Sequence, residues 1–307
     1  MNTVLATEGP LDVDATLSRY RLWGEDPTNC VAARVFRRVL RRDAALVPYE
    51  VSWSGTVEDV RLAIRIPGTT SAAVSTAVTA EVRSLFGLDF DLAGFYRMAK
   101  ADPGLAPLIE PLYGMRPTLA PTALEMLVGS ITAQQINLSF AFACRARLIR
   151  RYGTPVEISR TTVWAFPDAA ALARARVRDL RGLKYSTRKA EYIRDVARAM
   201  VAGTLDVVAL VAASNDIVVA QLTALRGLGR WTADWFLARC CGRGDVCPAG
   251  DLAVRKAFDH FYGRGRTLSE EAIRRRARAW GPYQNLAVHY LLAGMRLHQP
   301  QAAGGGS

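Results

Sequence analysis

The feature that most constrains this chain is a glycine-punctuated stretch at residues 221–235, whose sequence is Gln-Leu-Thr-Ala-Leu-Arg-Gly-Leu-Gly-Arg-Trp-Thr-Ala-Asp-Trp. Apolar residues lead into it at helical spacing from Asn215 onward, and Asn is a good helix-starting residue. Gly227 and Gly229 interrupt that spacing, and glycine permits both a positive φ and a close approach of the backbone to a partner. The pattern predicts two helices joined by a tight hairpin, with the second helix beginning near Arg230.

The start of the second helix has a chemistry of its own. Backbone N–H groups of a first helical turn have no partner within the helix, and here no bulky side chain screens them. Such a helix start suits a phosphate group. Trp231 and Trp235 are four residues apart and therefore share one face of this helix. The spacing alone fits equally well a helical hairpin whose tryptophans are buried in a core.

A second motif follows the hairpin. The segment Cys-Pro-Ala-Gly-Asp at residues 247–251 places Asp251 shortly after Trp231 and before an apolar helical pattern. Together with Leu-Arg-Gly-Leu-Gly-Arg-Trp-Thr-Ala at residues 225–233, it resembles the helix-hairpin-helix and Gly/Pro-rich loop plus Asp signature of the base-excision DNA glycosylase superfamily. Within that superfamily it is most similar to the type II 3-methyladenine, or alkylated-base, DNA glycosylases. The resemblance runs from about residue 15 to residue 298.

The resemblance implies an α+β fold, in which a small N-terminal antiparallel sheet with helices precedes an all-α helix-hairpin-helix core. A chain of 307 residues with 50% hydrophobic content is long enough for two or three subdomains. We expect a flexible leader at 1–12, a sheet domain at 13–90, a helical core at 91–298 containing the hairpin at 216–241, and a flexible tail at 299–307.

Local patterns support this organisation. Alternating or β-branched segments predict strands at residues 15–22, 48–54 and 57–66, and residues 72–86 predict a helix packed on the sheet. After residue 91 the pattern is helical throughout, and Thr267 with Glu270 predicts a capping box before one of the last helices.

The charge of the chain favours a polyanionic partner. The formal net charge is +12, and the isoelectric point is about 9.9. An early basic cluster could contact a DNA backbone, although a solvated face is the interpretation that its spacing favours. This cluster comprises Arg34, Arg37, Arg38, Arg41 and Arg42.

Five cysteines without a secretory signal predict a reducing compartment. No apolar run reaches membrane-spanning length, so no membrane partner is expected. With the resemblance, these observations predict a cytoplasmic protein that acts as a monomer at the bacterial nucleoid. Its expected partner is double-stranded DNA that contains damaged bases.

The resemblance assigns a role to one carboxylate. A base inside a duplex has to rotate out before its bond to the sugar can be cut, and the cut builds positive charge on the sugar. A fixed carboxylate opposite that charge lowers the barrier and can orient water. Asp251 matches the family position for this catalytic carboxylate. Its residue type and place alone predict a helix cap.

Other site residues also follow from the resemblance. Gln135 matches the side chain that fills the gap left by the rotated base, and Gln134 lies at the mouth of the base pocket; without the resemblance the pair is ordinary polar surface. Trp231, Trp235 and Tyr283 supply aromatic surface to the pocket. Electron-rich rings attract a positively charged N-alkylated purine more than a neutral base. The implied function is excision of 3-methyladenine- and 7-methylguanine-type bases.

The residue that opens the second hairpin helix predicts how the reaction ends. Members of the superfamily that also nick the strand carry a lysine nucleophile there, which forms a Schiff base with the sugar. This chain has Trp231 at that position. We expect a monofunctional hydrolase without lyase activity, which leaves an abasic site.

The resemblance implies that the hairpin holds the DNA backbone and that a monovalent cation, Na+ or K+, lies between its carbonyls and a phosphate. No cysteine follows Asp251, so no iron–sulfur cluster is expected. No metal held by side chains is expected either, because the three histidines have no ligand spacing. The predicted backbone contacts are Arg226, Gly227, Leu228, Gly229, Arg230 and Thr232.

Several positions depart from the family pattern and bear on the range of substrates. Trp235 stands where the family often has Tyr, and Gln284 and Asn285 stand where it has an Arg-Ser pair. Leu292 lies near the place of a tryptophan in a relative.

Three other functions remain open at this point. The chain could be a glycosylase for a neutral damaged base such as uracil or hypoxanthine. It could instead be a non-catalytic helix-hairpin-helix protein that binds damaged DNA, or a structural helical domain whose basic charge is incidental.

Overall fold

The computed structural model describes residues 2–42, 45–68 and 71–297, and it has the predicted α+β composition. The predicted tail at 299–307 lies outside the described residues. The described residues form two compact units, one within residues 2–89 and 114–242 and the other within residues 90–113 and 243–297. The predicted helical core at 91–298 therefore contributes to both units. In the described part of the chain, no helix is long and apolar enough to cross a membrane.

The first unit contains a five-stranded antiparallel sheet with the strand order β1-β5-β4-β3-β2. The alternation predicted at residues 57–66 is present, because Leu62 and Ile64 face the core while Arg61 and Arg65 face outward. The strands are β1 (Asn2–Ala6), β2 (Cys30–Ala32), β3 (Val35–Arg42), β4 (Ala45–Gly55) and β5 (Val60–Arg65).

The prediction of a flexible leader at residues 1–12 is wrong for residues 2–6, because they form β1 and pair with β5 from Asn2↔Arg65 to Ala6↔Arg61. The sequence of β1 carries little apolar patterning that would predict a strand, because β1 lies at the sheet edge and Val4 is 66% exposed. Its backbone hydrogen bonds complete the edge of β5.

The strand predicted at residues 15–22 is also wrong, because this segment is helical. Two short helices, α1 (Val13–Leu17) and α2 (Arg19–Leu22), occupy it, and the carboxylate of Asp12 caps the first by accepting from the amide of Ala15 at 2.8 Å. Val13, Leu17 and Tyr20 recur at helical spacing and pack into the core beneath the sheet.

The helices of the first unit begin and end close to where capping residues predict. Thr122 is the N-cap of α5 (Ala123–Ala133) and Asn137 is the N-cap of α6 (Leu138–Tyr152), which ends at Gly153. The helix predicted at 72–86 packs on the sheet as α3. The remaining helices are α3 (Ala72–Leu85), α5 (Ala123–Ala133), α6 (Leu138–Tyr152), α7 (Ala169–Arg174), α8 (Val177–Gly182), α9 (Thr187–Val201), α10 (Val207–Ala212), α11 (Asn215–Thr223) and α12 (Arg230–Arg239).

A β-hairpin interrupts the region predicted to be helical throughout. Strands β6 (Thr154–Ile158) and β7 (Thr161–Ala165) pair with each other, and Ile158 and Val163 pack on Val39 of the sheet. The two turn residues between the strands have positive φ without being glycine, so the usual Asn-Gly signal of such a turn is missing.

One member of the early arginine cluster, Arg38, lies in a buried ion network rather than on the predicted solvated face, whereas Arg34 and Arg42 are exposed. Arg38 on β3 is 3% exposed and contacts the carboxylates of Glu81 and Glu125. Arg145 joins it by contacting Asp26 at 2.7 Å and Glu125 at 3.3 Å. Arg38 therefore neither faces solvent nor contacts DNA. Its guanidinium is buried, and a buried charge requires oppositely charged partners such as these carboxylates.

The network makes the folded state sensitive to acid. Burial raises the pKa of Asp26, but Arg145 and hydrogen bonds from Asn29 and Thr28 outweigh it and lower that pKa to about 2, from an ordinary value of 3.8. A depressed folded-state pKa stabilises the protein above the unfolded-state pKa, and the stabilisation is lost as the pH falls toward 2. Between pH 5 and pH 2, the free energy of unfolding of the wild type should fall by about 2 kcal/mol more than that of Asp26→Asn. Urea unfolding at each pH measures this, and parallel curves for the two proteins would contradict it.

The second unit is helical. The Asp102 carboxylate stabilises the interior of this unit through three hydrogen bonds. It accepts from Tyr262 at 2.8 Å and from both Trp280 and Arg276 at 2.9 Å. The predicted capping box at Thr267 is wrong, since Ser269 caps the helix α14 (Glu270–Arg278) and accepts from the amide of Ala272. The elements are α4 (Leu92–Ala99), a 3-10 turn (Ala106–Leu108), α13 (Leu252–Tyr262), α14 (Glu270–Arg278), a 3-10 turn (Gly281–Tyr283) and α15 (Gln284–Leu297).

Candidate functional site

The predicted hairpin is present between α11 and α12. Gly227 has a φ of +87°, and a Cβ at this position would lie 2.2 Å from the ring of Tyr192, so the turn requires glycine. Gly229 is exposed, has an ordinary φ of −117° and is the N-cap of α12. Because glycine has no side chain, the first turn of α12 begins without a side-chain cap, as expected for an anion-binding helix start.

The two hairpin arginines are held by acidic partners while remaining largely exposed. Arg226 contacts Glu191 at 3.1 Å and lies 5.5 Å from the ring centre of Tyr192. Arg230 contacts the buried carboxylate of Asp234 at 2.7 Å, and its side chain is 57% exposed. These pairs restrict each guanidinium without burying it.

Two of the hairpin residues that are predicted to contact the DNA backbone have side chains that point inward. Leu228 is 5% exposed and Thr232 is 1% exposed, so their side chains pack inside the first unit. Only their main-chain groups remain as candidates for a backbone contact.

Trp231 and Trp235 lie one turn apart on α12, and both are half-buried. The residues between them, Thr232 to Asp234, are buried. The tryptophans therefore border the surface, and the alternative of two rings enclosed in a core does not describe them.

The junction between α5 and α6 carries the two glutamines. The Gln134 side chain donates to the carbonyl of Gly227 at 2.9 Å, which ties this junction to the hairpin. Gln135 is exposed and adopts a φ of +54°. This left-handed conformation is costly for a non-glycine residue, and such strain is typical of functional sites.

Lys189 on α9 supports the junction and was not singled out from the sequence. Its ammonium donates to the carbonyl of Thr132 at 2.8 Å and to that of Gln134 at 2.6 Å. Burial lowers the pKa of Lys189. The only sequence signal was its place in a basic segment at a helix junction, because its partners are more than 50 residues away along the chain.

Asp251 is the N-cap of α13 in the second unit. Its Oδ1 accepts from the amide of Ala253 at 2.8 Å and from that of Val254 at 3.1 Å. The side chain is half-buried, and the following Leu252 is 65% exposed. The predicted cap is therefore present, and the same two hydrogen bonds hold the carboxylate at the molecular surface in one orientation.

The loop that leads to Asp251 is tightly packed. The amide of Asp251 donates to the carbonyl of Pro248 at 3.0 Å, and Pro248 and Ala249 are buried. Arg274 of α14 donates to the carbonyl of Cys247 at 3.3 Å and pairs with Glu270 at 2.8 Å. These contacts make Arg274 a support of this loop.

Tyr283 has a structural partner in the second unit. Its hydroxyl donates to the carboxylate of Asp91 at 2.9 Å, and this hydrogen bond raises the pKa of Tyr283. Among the positions that depart from the family pattern, Gln284 donates to the carbonyl of Gly281, Asn285 is fully buried, and Leu292 is half-buried. Asn285 therefore lies on the buried face of α15.

The predicted site residues divide between the two units. The second unit contains Asp251 and Tyr283. The first unit brings Gln134 against the hairpin and contains the other predicted residues, namely Gln135, Trp231, Trp235, Arg226, Gly227, Leu228, Gly229, Arg230 and Thr232.

Known proteins are similar to this chain in sequence and in fold. A DNA-3-methyladenine glycosylase of Bacillus subtilis is 31% identical over 210 residues, which are 68% of this chain and 69% of that protein. The structure of a 3-methyladenine DNA-glycosylase from Archaeoglobus fulgidus superposes with a TM-score of 0.86 at 26% identity, covering 97% of this chain and 99% of the other. The fold also matches the Schizosaccharomyces pombe 3-methyladenine DNA glycosylase Mag1 in complex with abasic DNA, with a TM-score of 0.58, 20% identity, and coverage of 67% and 98%.

The family described as HhH-GPD superfamily base excision DNA repair protein matches residues 128–282, which include both glutamines, the hairpin and Asp251. The match covers about half of the chain and every predicted site residue except Tyr283, and the similarity to the Bacillus subtilis glycosylase agrees with it. The chain therefore belongs to the HhH-GPD superfamily of base excision DNA repair proteins.

Proposed function

We propose that this protein is a monofunctional DNA glycosylase that hydrolyses the N-glycosidic bond of alkylated purines, of the 3-methyladenine and 7-methylguanine type, and leaves an abasic site. The observation that carries the proposal is Asp251, a surface carboxylate fixed by two amides within the segment that matches the repair family. The relatives named as 3-methyladenine glycosylases support the substrate class.

Asp251 acts by electrostatics. As the bond between the base and C1′ of the sugar breaks, its electron pair leaves with the base and positive charge develops on the sugar. The orientation of the Asp251 carboxylate is set before the reaction by the amides of Ala253 and Val254, so little reorganisation is needed when the charge appears. A water molecule then adds its oxygen to C1′ and releases a proton, which completes the hydrolysis.

Charge on the damaged base explains the preference for alkylated purines. An N-alkylated purine is cationic, which makes it a good leaving group without strong acid catalysis. The half-buried rings of Trp231 and Trp235 offer electron-rich faces, each worth about 0.5–2 kcal/mol to a well-placed cation. Neutral normal bases gain neither advantage. The resemblance also assigns Gln134 and Tyr283 to base recognition, and within their own units their polar groups are oriented by Gly227 and Asp91 respectively.

The hairpin binds the DNA backbone. The uncapped start of α12 presents main-chain N–H groups to a phosphate, and the exposed side chains of Arg226 and Arg230 add positive charge. Contacts of this kind give affinity without sequence preference and weaken steeply with salt. Gln135 enters the stack where the damaged base leaves, since its exposed side chain projects from a strained junction.

The first turn of α12 contains no lysine, which supports hydrolysis of the glycosidic bond without cleavage of the strand. Trp231 cannot form a Schiff base with the sugar, so we expect the strand to stay intact until alkali cleaves it. We propose that the protein acts as a monomer at the nucleoid of a bacterial cytoplasm, because one base-flipping site needs one DNA groove.

A monovalent cation at the hairpin extends the proposal. Na+ and K+ bind oxygen ligands such as the main-chain carbonyls of the hairpin loop. The Gln134 side chain holds one of these carbonyls, that of Gly227, in place. Bound there, the ion would add positive charge beside a phosphate. Replacing K+ by tetramethylammonium at constant ionic strength should weaken duplex binding, and unchanged binding would contradict the cation.

Rates on defined lesions test the proposed function. Duplexes that each contain one alkylated purine, hypoxanthine or uracil are incubated with excess enzyme, and release of the free base is measured. We expect alkylated purines to leave at least about tenfold faster than the neutral bases. Faster release of uracil or hypoxanthine would favour a neutral-base glycosylase, and binding without release from any duplex would favour a non-catalytic damage-binding protein.

A further inference from the structure

Asp91 and Tyr283 form a pair at the surface of the second unit. Asp91 is the N-cap of α4, and its Oδ1 accepts from the amide of Gly94 at 2.8 Å. Its other oxygen, Oδ2, accepts from the hydroxyl of Tyr283 at 2.9 Å. The two residues are 192 positions apart along the chain, so the hydrogen bond joins the start of α4 to the 3-10 turn that ends at Tyr283. Capping of α4 requires only the first of these two oxygens.

The residues that follow Asp91 define the position of the Tyr283 ring. Gly94 has no side chain, and a Cβ there would lie 2.0 Å from the Tyr283 hydroxyl and 2.1 Å from Oδ2 of Asp91. A larger residue at position 94 would therefore displace the hydrogen bond. Phe95 contacts the ring from another side, with the two ring centres 6.4 Å apart and their planes tilted by 57°. The ring is thus held by a hydrogen bond, a glycine and a second aromatic side chain.

The pair lies where a ligand can reach it. Asp91 is exposed and Tyr283 is half-buried. The hydrogen bond from its hydroxyl to Asp91 raises the pKa of Tyr283, while the hydrogen bonds from Gly94 and then Tyr283 lower the pKa of Asp91. At neutral pH the pair therefore consists of an ionised carboxylate and a neutral phenol that donates to it.

A carboxylate that accepts from a phenol changes the aromatic ring as well as the hydroxyl. The charge-assisted hydrogen bond polarises the phenol and leaves more electron density on its oxygen and its ring. Cations are attracted to the face of an aromatic ring by its negative potential, so a polarised ring attracts them more strongly. Such a ring discriminates between two bases of the same shape when only one of them is positively charged.

The proposed function supplies a cationic ligand of this kind. The resemblance assigns Tyr283 to base recognition, and an N-alkylated purine carries the positive charge that the normal base lacks. We infer that Asp91 is a positioning residue that sets the preference for cationic bases by fixing the Tyr283 ring and increasing the electron density on its face. The inference rests on the proposed function and gives Asp91 a role beyond the capping of α4.

Two lesions of the same shape and different charge test the inference. One duplex carries 7-methylguanine, which is cationic, and the other carries 7-methyl-7-deazaguanine, which is neutral. A 2′-fluoro sugar at both lesions slows cleavage, so that dissociation constants can be measured by fluorescence anisotropy. We expect wild type to bind the cationic lesion about tenfold more tightly than the neutral one.

Asp91→Asn should reduce this preference at least about threefold and keep the affinity for the neutral lesion within about twofold of wild type. The cap of α4 is retained, because the Asn side-chain oxygen accepts from the amide of Gly94. Tyr283→Phe should lose the preference to the same extent. In the double variant, Asp91→Asn should cause no further loss, because its effect passes through the Tyr283 hydroxyl.

Glu271→Gln is the matched control, because it removes another exposed carboxylate of the second unit, in the first turn of α14. It should keep the full preference. An unchanged preference in Asp91→Asn, even with a lowered melting temperature, would overturn the inference, and so would a further loss in the double variant. Equal binding of the two lesions by wild type would also overturn it. Failure of wild type to release 7-methylguanine from a duplex without fluorine would overturn the proposed function as well.

Discussion

Asp251→Asn should lower the rate of base release from methylated duplex DNA by about a hundredfold to a thousandfold, while duplex affinity stays within about twofold of wild type. The substitution removes the negative charge that faces the developing positive charge on the sugar. It keeps the cap of α13, because the Asn side-chain oxygen accepts from the amides of Ala253 and Val254 as the carboxylate does. Single-turnover release assays and thermal unfolding of both proteins measure the two effects.

Asp206→Asn is a matched control for this prediction. Asp206 caps α10 with the same geometry, since one oxygen accepts from the amides of Val208 and Ala209 at 3.0 Å each. Loss of that charge should leave base release unchanged. Equal rates for wild type and Asp251→Asn would show that Asp251 serves only as a helix cap.

Gly227→Ala should destabilise the protein by about 2–4 kcal/mol and weaken its binding to duplex DNA at least tenfold. The φ of +87° is unfavourable for alanine, and the new methyl group would lie 2.2 Å from the Tyr192 ring. Tyr192 also lies under Arg226, so a shift of the ring displaces a hairpin arginine. Urea unfolding and anisotropy titrations measure the two losses.

Gly229→Ala provides the comparison for this second substitution. A Cβ at Gly229 has no atom within 4 Å, and the φ of −117° is ordinary for alanine, so the loss of stability should stay below about 1 kcal/mol. A similar loss of stability in the two variants would contradict the conclusion that the hairpin requires glycine at the tight turn of Gly227.

The sequence predicted those parts of the site that depend on local chemistry. Gly227 and Gly229 located the hairpin, and Asp251 was placed as the first residue of a helix because capping depends on residues two and three positions away. Both predictions are confirmed in the structure, and the superfamily match confirms the resemblance.

Features that depend on distant partners escaped prediction. The burial of Arg38 requires Glu125, which is 87 residues away, and the support that Lys189 gives Gln134 spans 55 residues. The strands β1 and β6 carry weak apolar patterns, because each is stabilised by pairing with another strand rather than by its own burial. Leu228 in the hairpin loop and Thr232 on α12 are buried in the first unit through packing that no local pattern encodes.

The most direct test of the central claim is to identify what leaves N-methylated duplex DNA when the wild-type protein is added. Liquid chromatography with mass detection identifies the free base, and gel analysis of the strand before and after alkali shows whether it is cut. We expect free 3-methyladenine and 7-methylguanine, with a strand that breaks only after alkali. The absence of free base, with DNA still bound, would contradict the glycosylase assignment, and a strand cut without alkali would contradict hydrolysis alone.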